Sequence, residues 1–186
     1  MNKPLTKLIS ERLILKEVEI IDINDIHCLH SLSETDLYNT LGIPGNVEAT
    51  RILVESWVKE QSSIPRNNYV FRVELRQSEQ FVGLIALIHG KSNYRNAEVW
   101  YKTHVDQWNN GYTTEALLTI LKFCFTDLNL HRIEAGCATG NSASKRVLEK
   151  VGMNCEGTKR KNLPIRGKWY DSYVYAILDE EYFFKS

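Results

Sequence analysis

Val105-Asp106-Gln107-Trp108-Asn109-Asn110-Gly111-Tyr112-Thr113-Thr114-Glu115-Ala116 runs from the end of a strand-like stretch, through a polar turn, straight into a helical pattern. Beyond Gly111 the apolar residues Leu117, Ile120, Leu121, Cys124, Phe125 and Leu128 fall at i, i+3, i+4, i+7, i+8 and i+11, which is one face of a helix. The first turn of a helix has N–H groups without intrahelical partners and a partial positive charge. Such a junction can therefore hold a diphosphate without any basic side chain. Gly111 would let the backbone approach that ligand closely. The same residues also suit an ordinary helix start capped by Thr113 or Thr114.

Upstream, Arg12 to Val18 has strand character, and a helical stretch starts at Asp22 and runs through Ile26 and Leu29. Gly42-Ile43-Pro44-Gly45-Asn46 is a loop, and Val47 to Gln61 reads as a helix with Val54, Trp57 and Val58 on one face. Tyr69 to Arg76, Gln80 to His89 and Tyr94 to Val105 are strand-like, with a polar turn at Gln77-Ser78-Glu79 between the first two. These three predict an antiparallel meander. Downstream, Arg132 to Thr139 alternates like a strand, and Asn141 to Val151 is a short helix with Val147, Leu148 and Val151 inward. Strands over Asn154 to Lys161 and Lys168 to Leu178 complete a β-α-β-α-β-β half.

A chain of 186 residues with 43% hydrophobic and 25% charged residues fits one soluble domain, spanning residues 1–186, with a sizeable core. Lys+Arg 23 balances Asp+Glu 23, so bulk charge gives no drive toward nucleic acid or anionic membrane. No apolar window is long enough to span a bilayer, and no secretory signal follows Met1; a cytoplasmic location is expected. Cys28, Cys124, Cys137 and Cys155 form no C-x-x-C pair and read as reduced thiols, at least two of them core fillers. Gly83 to Gly90-Lys91-Ser92 has the wrong spacing for a phosphate-binding P-loop, His27 and His30 lack further ligands for a metal, and no G-x-S-x-G nucleophile occurs.

Four segments then resemble one family in order and at its spacing. They are Ala97-Glu98-Val99-Trp100-Tyr101-Lys102 running on through Trp108 to Ala116, His131-Arg132-Ile133, Asn141 to Met153, and Gly167-Lys168-Trp169-Tyr170-Asp171. The chain resembles the GNAT N-acetyltransferases, in their RimJ/RimL-type ribosomal-protein branch, over roughly residues 10 to 184. The resemblance implies an α/β fold: a mixed, mostly antiparallel, seven-stranded sheet with helices on both faces. The sheet would splay where the strand ending near Val105 parts from the one starting near Arg132.

It further implies that acetyl-CoA, with no metal, lays its diphosphate on the turn Trp108, Asn109, Asn110, Gly111, Tyr112, Thr113 and Thr114. The pantetheine arm would follow Lys102, Thr103 and His104 and meet Asn141, with the oxyanion near the backbone N–H of Tyr101. Ser144 would lie near the sulfur, and Lys145 is the candidate for a phosphate contact. Amine acetylation needs a base, because an ammonium cannot attack a thioester, and Glu98 on the cleft-lining strand is that candidate. The alternative for Glu98 is an ion pair with Arg95 or Lys102. Leu148 stands where many members have a tyrosine acid, which leaves Ser144 or a bound water as proton donor. Trp100 replaces the branch's glycine beside the acceptor cleft, Val105 its proline, Asn109 another glycine, Thr113 a small residue and Met153 a phenylalanine. Asn109 tolerates the left-handed backbone such a turn needs.

Between Lys145 and Lys168 there are eight basic residues against Glu149 and Glu156, an excess of six positive charges. That face suits the CoA phosphate or an anionic macromolecular substrate as well as plain solvation. The expected acceptor is a protein N-terminal α-amine. The alternatives are a small-molecule amine or polyamine, and a non-catalytic CoA-binding module. No nucleic-acid or membrane partner is expected, and the protein is read as a monomer or homodimer.

Overall fold

The computed structural model describes residues 5–183. Eight strands form one sheet in the order β1-β2-β3-β4-β5-β6-β8-β7: β1 (Lys7–Ile9), β2 (Leu13–Glu17), β3 (Asn68–Leu75), β4 (Phe81–His89), β5 (Asn96–Thr103), β6 (Arg132–Ala138), β7 (Asn154–Ile165) and β8 (Lys168–Leu178). Every pairing is antiparallel except that of β5 with β6. The expected seven strands are thus eight. β1 is three residues long and mostly exposed, so it carries no apolar alternation to find, and its place comes from pairing Lys7 to Ile9 with Lys16 to Ile14.

The pleat sorts side chains onto two helical layers. Leu13, Leu15, Phe71, Val73, Ile85, Leu87, Ala97 and Val99 face α4 (Tyr112–Lys122) and α5 (Ser142–Lys150), against Leu117, Ile120, Leu121 and Leu148. Val18, Val70, Leu84, Ala86 and the half-buried Trp100 face α1 (Ile23–Ser31) and α3 (Val47–Glu60), against Ile23, Ile26, Leu29 and Val54. Leu117, Ile120, Leu121 and Cys124 are fully buried. Each such aliphatic side chain contributes about 1.5–3 kcal/mol, so α4 is held by packing more than by intrinsic helicity. Two short helices, α2 (Ser33–Asp36) and α6 (Asp179–Phe183), complete the chain.

The feature that positions the site is the brevity of the one parallel pairing. β5 and β6 pair only through Asn96↔Arg132, Ala97↔Ile133 and Glu98↔Glu134, and then part, so the sheet is split from Val99 onward. Beyond the split, β6 continues against β8 as far as Ala138↔Ser172. No helix among the described residues is long and apolar enough to cross a membrane.

Candidate active site

The turn entering α4 is built around two left-handed residues, Asn109 (φ 62°) and Gly111 (φ 79°). Asn109 thus does what its side chain permits where the resemblance has a glycine. The expected cap is absent: neither Thr113 nor Thr114 caps the helix, and the N-cap position is Gly111 itself. Thr113 instead bonds Thr103 hydroxyl to hydroxyl at 2.8 Å, tying the helix start to β5. The first α4 amide bonded inside the chain is that of Glu115, to the Gly111 carbonyl at 3.1 Å, while the Trp108 amide donates to Val105. Among the described residues the amides of Asn109 to Thr114 make no hydrogen bond, which leaves a row of donors at the positive end of a helix dipole. That donor set fits a diphosphate.

This turn is braced from a distance. Glu115 accepts from the Arg12 amide (2.7 Å), the Arg12 Nε (2.6 Å) and the Ser10 hydroxyl (2.7 Å). Arg12 also donates to the Asn110 carbonyl and lies 4.7 Å over the Tyr112 ring. Burial works to raise the Glu115 pKa, but these donors and the guanidinium outweigh it and hold the carboxyl below its ordinary range. The Asn110 side-chain Nδ2 donates to the Trp108 carbonyl, and the Trp108 indole donates to the Thr103 carbonyl at 2.9 Å. The Ser10–Arg12–Glu115 brace has a separation of more than 100 residues, which sequence spacing does not reveal.

The floor of the split is the free edge of β5. The amide of His104 donates to Val82 and the carbonyl of Asn96 accepts from Gly90, so even-numbered residues turn their backbone groups toward β4. By the same alternation Val99, Tyr101 and Thr103 present theirs to the split. The backbone groups of Lys102 and His104 therefore turn away from the split, while those of Tyr101 and the N–H of Thr103 face it, the Thr103 carbonyl being taken by the Trp108 indole. The His104 imidazole is occupied locally, accepting from the Asp106 amide.

On the α4/α5 side the Tyr101 hydroxyl meets the Ser144 hydroxyl at 2.8 Å across the split. Burial pushes the Tyr101 phenol up, against the lowering effect of that bond, so it remains protonated. Asn141 caps α5 by accepting from the Ser144 amide at 3.0 Å, as its sequence position suggests. Lys145 lies 3.7 Å from Glu149 and over the Tyr173 ring, so its ammonium is already partnered along α5. Cys124 is fully buried and its thiol is pushed up by burial, as fits a core residue.

On the opposite, α1/α3 side, Glu98, Trp100 and Lys102 alternate along one face of β5, opposite Ile88, Ala86 and Leu84. Glu98 pairs with neither Arg95 nor Lys102; Arg95 bonds Asn129 instead. Although Glu98 is exposed, desolvation by its surroundings raises its pKa, Glu134 raises it further, and Lys159 opposes both. Trp100 stacks at a tilt on Trp57, ring centroids 6.1 Å apart, and Trp57 meets His30 edge-on. Burial, with Lys102 and His27 adding to it, lowers the His30 pKa to about 4.

Two contacts close this side over the far edge of the split. The buried Asp36 accepts from Arg166 Nη2 at 2.8 Å and Nε at 3.2 Å, joining α2 to the β7–β8 turn, and the Tyr38 hydroxyl donates to the Gly140 carbonyl at 2.8 Å. Neither pair, 130 and 102 residues apart, has any signal in the sequence.

Residues 12–154 match the acetyltransferase (GNAT) domain family. The N-acetyltransferase YnaD of Bacillus subtilis, itself uncharacterised, is 32% identical over 175 residues, covering 93% of this chain and 97% of that protein. Two solved structures superpose closely. Spermidine N-acetyltransferase from Vibrio cholerae, in complex with CoA and spermine, has a TM-score of 0.82 at 25% identity, over 94% of this chain and 99% of that one. RimJ from Mycobacterium smegmatis, in complex with CoA-disulfide, has a TM-score of 0.81 at 25% identity, over 95% and 88%.

Proposed function

The chain belongs to the GNAT family and is an acetyl-CoA-dependent N-acetyltransferase, and on that premise we propose that its acceptor is a protein N-terminal α-amine, in the manner of the RimJ/RimL-type enzymes. One observation carries the choice. On the acceptor face Asp36 is already held by Arg166 and Glu134 by Arg132, while Lys102 and Lys159 lack a carboxylate partner within ion-pair distance among the described residues. Of Glu98, Asp36 and Glu134, Glu98 alone is then left unpaired for the reacting amine, and neither of the other two is free for the further ammonium groups of a polyamine.

Acetyl-CoA supplies an activated thioester. The amides of Asn109 to Thr114 hold its diphosphate, and the split edge of β5 aligns the pantetheine arm. Glu98, its pKa raised by desolvation, takes the proton from the incoming ammonium so that the amine nitrogen can attack the thioester carbonyl. The Tyr101 N–H stabilises the charge that develops on the carbonyl oxygen. Ser144, its hydroxyl oriented by Tyr101, donates its proton to the sulfur as the tetrahedral intermediate collapses and the carbon–sulfur bond breaks, and the second proton that the nitrogen sheds as the amide forms restores that hydroxyl through solvent. No cysteine is required as an acyl carrier.

The deciding experiment compares acetylation of spermidine with that of an acidic peptide bearing N-terminal Ser. Faster peptide turnover is expected. Faster spermidine turnover would overturn the protein-substrate assignment and leave the acetyltransferase assignment intact, whereas CoA binding without turnover on any amine would favour a binding module.

A further inference from the structure

Lys102 is an anomaly on the acceptor face. Its side chain is half-buried between Trp100 on its own strand face and Leu84 on β4, yet its ammonium makes no hydrogen bond or ion pair within reach among the described residues. The nearest carboxylate acting on it, Asp36, is already committed: Arg166 donates to it twice, and Asn39 reaches its other oxygen at 3.4 Å. The remaining neighbour, His30, is kept neutral partly by this same cation. Desolvation accordingly lowers the Lys102 pKa, with Asp36 offsetting only part of the effect. A partly desolvated, unpaired charge costs stability, and a methionine of similar length would avoid that cost. Such a residue fits a ligand that supplies the missing charge.

The geometry places that ligand. Glu98 and Lys102 lie on the same face of one strand, four residues apart, or about 13 Å between their backbone positions at the rise of an extended chain. An acceptor whose amine lies at Glu98 and whose chain runs along β5 toward Lys102 advances about 3.3 Å per residue, so its second to fourth residues come within reach of the ammonium.

Resting on the α-amine reading above, we infer that Lys102 is a specificity residue that anchors an acidic side chain near the N-terminus of the acceptor, so that the substrates are peptides with Asp or Glu among residues two to four. The carboxylate gains a partly desolvated cationic partner there, and the same cation disfavours polyamines.

The test uses matched peptides with N-terminal Ser that carry Asp or Asn at position 2, 3 or 4. The wild-type enzyme should prefer Asp at one of these positions by about tenfold in kcat/KM, the scale of a charge-assisted hydrogen bond. Lys102→Met and Lys102→Gln should reduce that ratio to below about twofold, while Lys102→Arg keeps it. Equal turnover of the Asp and Asn peptides by the wild-type enzyme overturns the assignment without any variant, and so does an undiminished ratio in Lys102→Met. If peptides are acetylated without an acidic preference, the α-amine reading stands and the Lys102 assignment alone falls. If spermidine outpaces every peptide, both fall.

Discussion

Acidification from pH 7 to pH 5 should cost this fold about 2 kcal/mol through a single buried imidazole. His30 is 7% exposed, packs edge-on against Trp57, and has its pKa lowered from 6.5 to about 4 by burial first and by Lys102 and His27 next. The unfolded chain takes up this proton below pH 6.5, whereas the folded chain resists it until about pH 4. The contribution is therefore fully present above 6.5 and is lost as pH falls toward 4. At about 1.4 kcal/mol per pKa unit the whole linkage is worth about 3 kcal/mol, of which about 2 falls between pH 7 and pH 5. Urea unfolding of the wild type and of His30→Phe at both pH values isolates it, because the other four histidines are common to both proteins and phenylalanine keeps the edge contact with Trp57. The variant should lose about 2 kcal/mol less than the wild type over this interval. Equal losses would show that His30 titrates as an exposed imidazole does, and would refute the buried, cation-flanked setting on which the Lys102 assignment draws.

Glu98→Gln should lower kcat by about 10²-fold with little change in CoA affinity. Because desolvation and Glu134 raise the Glu98 pKa, the wild-type rate should climb with pH through an ionisation above the ordinary carboxylate range, and the variant should lose that limb. A wild-type rate in the variant at pH 7 would make Glu98 structural. Gly111→Val forces a branched residue to φ 79° at the cradle and should weaken CoA binding by about tenfold in calorimetry. Unchanged affinity in a folded variant would remove the diphosphate from this turn.

The sequence alone carried whatever is local. The 3.6-residue apolar period after Gly111 fixed α4, and alternation and turn chemistry fixed the β3-β4-β5 meander and its order. The left-handed tolerance of Asn109 and the N-cap role of Asn141 follow from single residues and their neighbours, and both hold. The split is expected from the resemblance and not from any local pattern, and β5 and β6 do part beyond Glu98↔Glu134.

The tertiary structure decided everything that depends on residues meeting from far apart or on which way a group turns. Thr113 reads as a cap in isolation, but β5 lies beside it and Thr103 claims its hydroxyl. Lys102 and His104 lie next to the split in sequence, yet the ladder with β4 turns their backbone groups away from it, while those of Tyr101 face it. The Arg12–Glu115 brace, the Asp36–Arg166 closure and the desolvation acting on Glu98, His30 and Lys102 arise only when the sheet brings these segments together. Burial and through-space charge are properties of packing, and no local stretch of sequence encodes them.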